Sequence, residues 1–164
     1  MKRRHFIQTG IAAFVLSAIN ISPLSASDGV ITPIVLTEDE WRKRLNEKQF
    51  YVLRKEGTER PWTSEFNDEK REGVFVCAGC DLPLFESAKK FDSGTGWPSF
   101  WAAIDKHTET KTDFKILFPR TEYHCARCGG HQGHIFNDGP KPTGKRWCNN
   151  GVALKFIPAG QSPT

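Results

Sequence analysis

Val74-Phe75-Val76-Cys77-Ala78-Gly79-Cys80 and Thr121-Glu122-Tyr123-His124-Cys125-Ala126-Arg127-Cys128-Gly129 decide how this chain folds. In each, a short apolar or alternating run of strand type leads into Cys-Ala-x-Cys, and a thiol pair at that spacing wraps one edge of a metal ion on a tight turn. Two such knuckles, Cys77/Cys80 and Cys125/Cys128, predict a four-sulfur tetrahedral clamp that pins the two ends of the sheet formed by residues 81–124. With every position taken by sulfur no place remains for water, so the ion is expected to be structural; zinc is the first choice and iron the second. Two disulfides are the competing reading, but a bridge inside Cys-x-x-Cys closes only a tiny loop. A thioredoxin-like redox pair is disfavoured because neither pair opens a helix.

Outward from the knuckles the same texture continues. Pro83-Leu84-Phe85, Phe114-Lys115-Ile116-Leu117-Phe118 and Val152-Ala153-Leu154-Lys155-Phe156 are short strand-like runs broken by Gly, Pro, Asp and Asn, with no long helical pattern between them. The expected class is all-β, two antiparallel sheets packed face to face. One helix precedes them: Thr37 caps it, Glu40 completes a capping box, acidic side chains fill its first turn, and Trp41 and Leu45 form its apolar face up to about Asn46. Val52, Leu53, Pro61 and Trp62 lie in a less regular, charge-rich segment assigned to packing.

Residues 1–27 read as an export signal: Lys2, Arg3 and Arg4, an apolar run from Phe6 to Ile21, then Ser25, Ala26 and Ser27. The apolar centre, Ile11–Ile19, is shorter than the roughly 20 residues a spanning helix needs, so no stable membrane association is expected. Adjacent arginines before His5-Phe6-Ile7 resemble a twin-arginine signal, which exports folded proteins and implies a periplasmic or otherwise exported location. Residues 28–36 form a linker and 159–164 a tail. Without Lys2, Arg3 and Arg4, 20 basic residues face 19 acidic ones, and the charges are interleaved. Nucleic acid, which demands a basic stripe, is not an expected partner.

Cys148 is the sulfur left over. Lys145 and Arg146 place positive charge beside it, which favours a thiolate, although a lone cysteine also reads as a small buried apolar residue. The run from Gly129 to Pro140 reads as a glycine-rich loop that delivers His131 and His134 directly after the second knuckle, hence onto a backbone the metal would anchor.

FDSGTGWPSF (Phe91–Phe100), GHIFNDGPKPTG (Gly133–Gly144) and RWCNNGVALKF (Arg146–Phe156), set around the knuckles, resemble the peptide methionine-R-sulfoxide reductase family over residues 37–158. The resemblance implies a β-tent of two antiparallel sheets, one structural zinc per chain, and a monomeric reductase for oxidised methionine in proteins. By the same resemblance Cys148 is the nucleophile, His134 lies beside the sulfoxide oxygen, Asn150 orients the site, Trp97 walls the methyl pocket, and His131 contributes nearby to substrate binding. The chemistry is coherent: attack on a sulfoxide sulfur needs an acid at its oxygen, and an indole face suits the sulfur-bound methyl.

Three positions depart from the family pattern. Thr95 stands where many relatives carry a resolving cysteine, so the sulfenic acid on Cys148 is expected to be reduced by an external thiol, thioredoxin-like or small. Gly151 replaces a usual serine, and Trp147 a usual tyrosine or phenylalanine. The rivals are a non-enzymatic zinc module, which would have no need of Cys148, and a zinc-ribbon nucleic-acid binder, which the mature charge disfavours.

Overall fold

A computed structural model describes residues 30–115 and 118–161; the signal expected over 1–27 lies outside the described residues. Two helices come first, α1 (Glu38–Arg44) and α2 (Glu47–Lys55), followed by β1 (Gly73–Cys77), β2 (Pro83–Glu86), β3 (Lys90–Phe91), β4 (Ser99–Phe100), β5 (Thr108–Asp113), β6 (Arg120–Cys125), β7 (His131–Phe136), β8 (Arg146–Asn149) and β9 (Leu154–Pro158). They form a three-stranded sheet, β2-β1-β9, and a six-stranded sheet, β3-β4-β8-β7-β6-β5, with every recorded pair antiparallel.

α1 starts where its capping box places it: Thr37 N–H donates to Glu40 Oε2 at 2.7 Å, and Glu40 N–H to Thr37 Oγ1 at 3.3 Å. The segment after it is not irregular. Asn46 and Gln49 form a second box, and α2 buries Phe50, Val52 and Leu53. The amide version of the box carries the signal less visibly than Thr and Glu, and the charged residues on its outer face conceal its apolar stripe.

The strand expected from Val152 starts only at Leu154, after a 3-10 turn over Gly151–Ala153, and two larger assignments change. Phe114–Phe118 is no strand at its described positions: β5 ends at Asp113, whose Oδ1 accepts the Lys115 N–H at 2.8 Å and turns the chain, leaving Phe114 and Phe118 exposed. The glycine-rich run is no loop either. Its His131–Phe136 portion is β7, near the middle of the six-stranded sheet, and a Cβ at Gly133 would sit 1.9 Å from the Cys148 carbonyl oxygen. There glycine marks close backbone approach rather than a turn.

The core lies between the sheets. Phe85 and Phe100 stack at 4.2 Å between centroids, Phe75 meets Phe100 edge-on at 5.0 Å, and Tyr123 meets Trp147 at 4.8 Å. Because side chains alternate along a strand, Trp147 on this inner face sends Cys148 to the outer one. The substitution at Trp147 therefore serves the core and leaves the outer face untouched.

Candidate active site

The two knuckles are built alike. Cys77 N–H donates to Leu82 O and Cys125 N–H to Gly130 O, both at 2.9 Å; Asp81 N–H donates to Cys77 O and Gly129 N–H to Cys125 O, both at 2.8 Å. Asp81 and Gly129 take left-handed φ of 59° and 65°, the conformation that asparagine-like residues and glycine best tolerate. All four sulfurs lie within 4.8 Å of one another, Cys77 to Cys128 at 3.6 Å and Cys80 to Cys125 at 3.4 Å, and all four residues are buried. A tetrahedral ion with bonds near 2.3 Å sets its sulfurs roughly 3.8 Å apart, so the quartet fits a structural metal site. The clamp does not pin the ends of one sheet, as its spacing suggests: Cys77 ends β1 of the smaller sheet and Cys125 ends β6 of the larger, so it joins the two.

Antiparallel register assembles a second constellation. Ser99, Cys148, His134, Glu122 and Lys111 occupy successive paired positions across β4, β8, β7, β6 and β5. Directly opposed side chains share a face, with Cβ atoms roughly 4.5–5.5 Å apart, so register brings imidazole 134 beside thiol 148. A pocket of about 140 Å³ opens over this row, lined by Trp97, His134, Cys148 and Asn150 together with Thr58 and Arg120. A larger groove of about 600 Å³ shares Thr58 with it, but no histidine or cysteine lines that groove.

Each side chain is held. Trp97 Nε1–H donates to the Glu59 carbonyl at 2.9 Å, and the Asn150 amide donates to Gln132 O and accepts from Glu59 N–H, both at 2.9 Å. His134 Nε2 lies 2.7 Å from Asp113 Oδ2, which also takes Arg120 Nη2 at 2.6 Å. The Lys115 N–H above all, with those two bonds, holds the Asp113 carboxyl far below the usual carboxylate range. Burial pushes the His134 imidazole below its ordinary value, with Asp113 opposing and Arg120 assisting that shift. His131 does not line the pocket. It is buried behind His134, ring centroids 5.5 Å apart, with Nδ1 2.9 Å from Glu122 Oε1 in a contact too poorly aligned for a hydrogen bond.

The cationic neighbours separate. Arg146 faces the sulfur and favours its thiolate, while gripping Asp138 through two bonds of 2.8 and 2.9 Å; Lys145 turns away to Asn137. Burial outweighs Arg146 and the Thr95 hydroxyl, so the Cys148 thiol is pushed up and rests protonated at neutral pH. Arg146 thus acts in the expected direction, against the desolvation of the buried sulfur.

Asp113, Arg120 and Glu59 were not legible as site residues. The first two are the last and first residues of a hairpin pair, and only the β5–β6 register shows that they face His134. Glu59 sits in an unpatterned segment.

The SelR domain model matches residues 45–158. Among curated proteins, the chain is 54% identical over 122 residues to "Peptide methionine sulfoxide reductase B1, chloroplastic" of Oryza sativa subsp. japonica, covering 74% of this chain and 57% of the relative. The Arabidopsis thaliana protein of that name is also 54% identical, over 60% of its length. "Peptide methionine sulfoxide reductase MsrB" of Hahella chejuensis is 50% identical over 121 residues, 73% of this chain and 87% of the relative. The chain thus spans less than two thirds of the two chloroplastic relatives and most of the bacterial one. Matched over residues 45–158, which hold both knuckles and the strand of Cys148, the chain belongs to the SelR-domain family, that of the peptide methionine sulfoxide reductases B.

Proposed function

We propose that this chain is a peptide-methionine (R)-S-oxide reductase, an oxidoreductase that returns oxidised methionine in proteins to methionine. The observation that carries the reading is a thiol, an imidazole and an indole on one small pocket: Cys148, His134 and Trp97. The Cys148 sulfur attacks the sulfoxide sulfur while the oxygen takes a proton, methionine leaves, and the thiol becomes a sulfenic acid, so R–SO–CH₃ and Cys–SH give R–S–CH₃ and Cys–SOH. Trp97 offers an apolar wall to the methyl group, worth about 0.3–1.5 kcal/mol as a sulfur–aromatic contact. Two external thiols then restore Cys148 with release of water and a disulfide. The five described free cysteines comprise the clamp and Cys148, and Thr95 occupies the loop beside the nucleophile, its hydroxyl 2.8 Å from Ser93 Oγ. Zinc is the metal we assign to the clamp, where it supplies a rigid cross-link; Cys77, Cys80, Cys125 and Cys128 would hold it.

Turnover of the two epimers of dabsyl-methionine sulfoxide with dithiothreitol tests the reading. Loss of the R epimer alone is expected, and no turnover of either would overturn it.

His134 acts at the oxygen as an imidazolium. With Nε2 engaged by Asp113, the nitrogen left for substrate is Nδ1, and it donates only when the ring is protonated. Burial and Arg120 oppose that proton and Asp113 favours it, so the imidazolium should be lost as pH rises through a value below 6.5. Asp113→Asn removes the group that raises this pKa. The titration of the His134 ring, followed by NMR, should therefore move to lower pH in the variant, with kcat at neutral pH down roughly 10²-fold. An unshifted titration would remove Asp113 from the control of that proton, and an unchanged kcat would take the proton away from His134.

A further inference from the structure

Glu59 touches neither the pocket's sulfur nor any metal ligand, yet four hydrogen bonds converge on it. Its backbone N–H donates to Asn150 Oδ1 at 2.9 Å and its carbonyl accepts Trp97 Nε1–H at 2.9 Å. Its carboxylate Oε2 accepts the Gly151 N–H at 2.6 Å and the Val152 N–H at 3.3 Å, the two amides that follow Asn150. The segment carrying Glu59, between α2 and β1, has no strand partner, so nothing in a sheet ladder fixes its position. Charge-assisted bonds from backbone amides to a half-buried carboxylate are the strong kind, and here they tie that segment to the nucleophile's own strand end.

We propose that Glu59 is a positioning residue for the sulfoxide reduction: anchored by its carboxylate on Gly151 and Val152, it turns its own peptide groups into the frame that holds the Trp97 indole and the Asn150 amide around Cys148. The inference rests on the function proposed above. A Cβ at Gly151 would lie 1.8 Å from Ser64 Oγ and 3.2 Å from Glu59 Oε2, so a side chain there would have to displace Ser64 and press on the carboxylate. Burial pushes the Glu59 carboxyl up from its ordinary value, and the Gly151 and Val152 amides oppose that shift.

The test compares Glu59→Ala with Glu59→Gln in the full chain. Two readouts are used: kcat/KM on methionine sulfoxide with dithiothreitol, and the indole N–H resonance of Trp97, identified in ¹⁵N spectra by its loss in Trp97→Phe. Glu59→Ala is expected to move that resonance and to lower kcat/KM roughly tenfold to a hundredfold, since misplacing binding groups by about 1 Å has that effect. Its spectral dispersion and the rate of Cys148 alkylation should stay as in the parent. Glu59→Gln should keep the resonance in place and kcat/KM within about threefold, because its amide oxygen still accepts both N–H groups. An unmoved resonance with parental kcat/KM in Glu59→Ala overturns the proposal. So does activity lost only together with dispersion, which would make Glu59 a general stabiliser. If the parent protein reduced no sulfoxide, the proposed function would fall, while the Trp97 resonance would still report whether Glu59 holds the indole.

Discussion

Cys148→Ser is expected to abolish reduction of methionine sulfoxide, by at least about 10³-fold in kcat/KM, with a melting temperature close to that of the parent. The loss is large because a hydroxyl at this place is neither acidic nor polarisable enough to attack a sulfoxide sulfur, and among the described residues no other thiol lies on the pocket. The fold should be spared. Cys148 lies on the outer face of β8, and the packing at that strand is carried by Trp147 on the opposite face against Tyr123 and Phe85. Mass spectrometry supplies an independent reading: the parent treated with substrate and no reductant should gain about 16 Da on Cys148, and the serine variant nothing. Equal turnover by the two proteins would remove Cys148 from the chemistry. A loss of two hydrogens instead of a gained oxygen would mean disulfide recycling, and would overturn the role given to Thr95.

Cys125→Ser should destabilise the whole fold. Cys125 is fully buried at the end of β6, and its partners across the site belong to a knuckle that begins on the other sheet. Structural zinc sites in small proteins are worth about 10–16 kcal/mol of apparent binding energy, against roughly 5–15 kcal/mol for the whole margin of a folded domain. Losing one of four ligands therefore endangers the entire fold, and the variant should lose bound metal and melt far lower or accumulate as aggregate. Elemental analysis should find one zinc per parent chain and little in the variant, and a strong chelator should destabilise the parent in the same direction. Parent protein free of zinc and iron, melting as the variant does, would leave the quartet as four packed thiols.

These two expectations draw on features legible at different ranges. The knuckles are local: two residues between thiols, a strand before and a left-handed Asp81 or Gly129 after, all set within one turn of chain. The first helix was equally plain, because Thr37 and Glu40 satisfy each other three residues apart. The second helix was harder to see, since Asn46 and Gln49 make the same box in residues that also suit turns. The glycines around β7 suit a loop by residue type, whereas Gly133 within the strand lets the backbone of β8 approach.

Residue types and short spacings thus determined by themselves the four-sulfur clamp, the all-β class and the singling out of Cys148, because each depends on chemistry contained in a few neighbouring positions. The family resemblance implied His134, Trp97 and Asn150 around that sulfur, but only the tertiary structure decided how they are held and what stands behind them. Strand register sets His134 opposite Cys148 and brings Asp113 and Arg120 to the imidazole, while hydrogen bonds between segments far apart in the chain set Glu59 behind Trp97 and Asn150. It also set desolvation against Arg146 at Cys148: desolvation depends on everything packed around a group, whereas the adjacent arginine is all that the linear order displays.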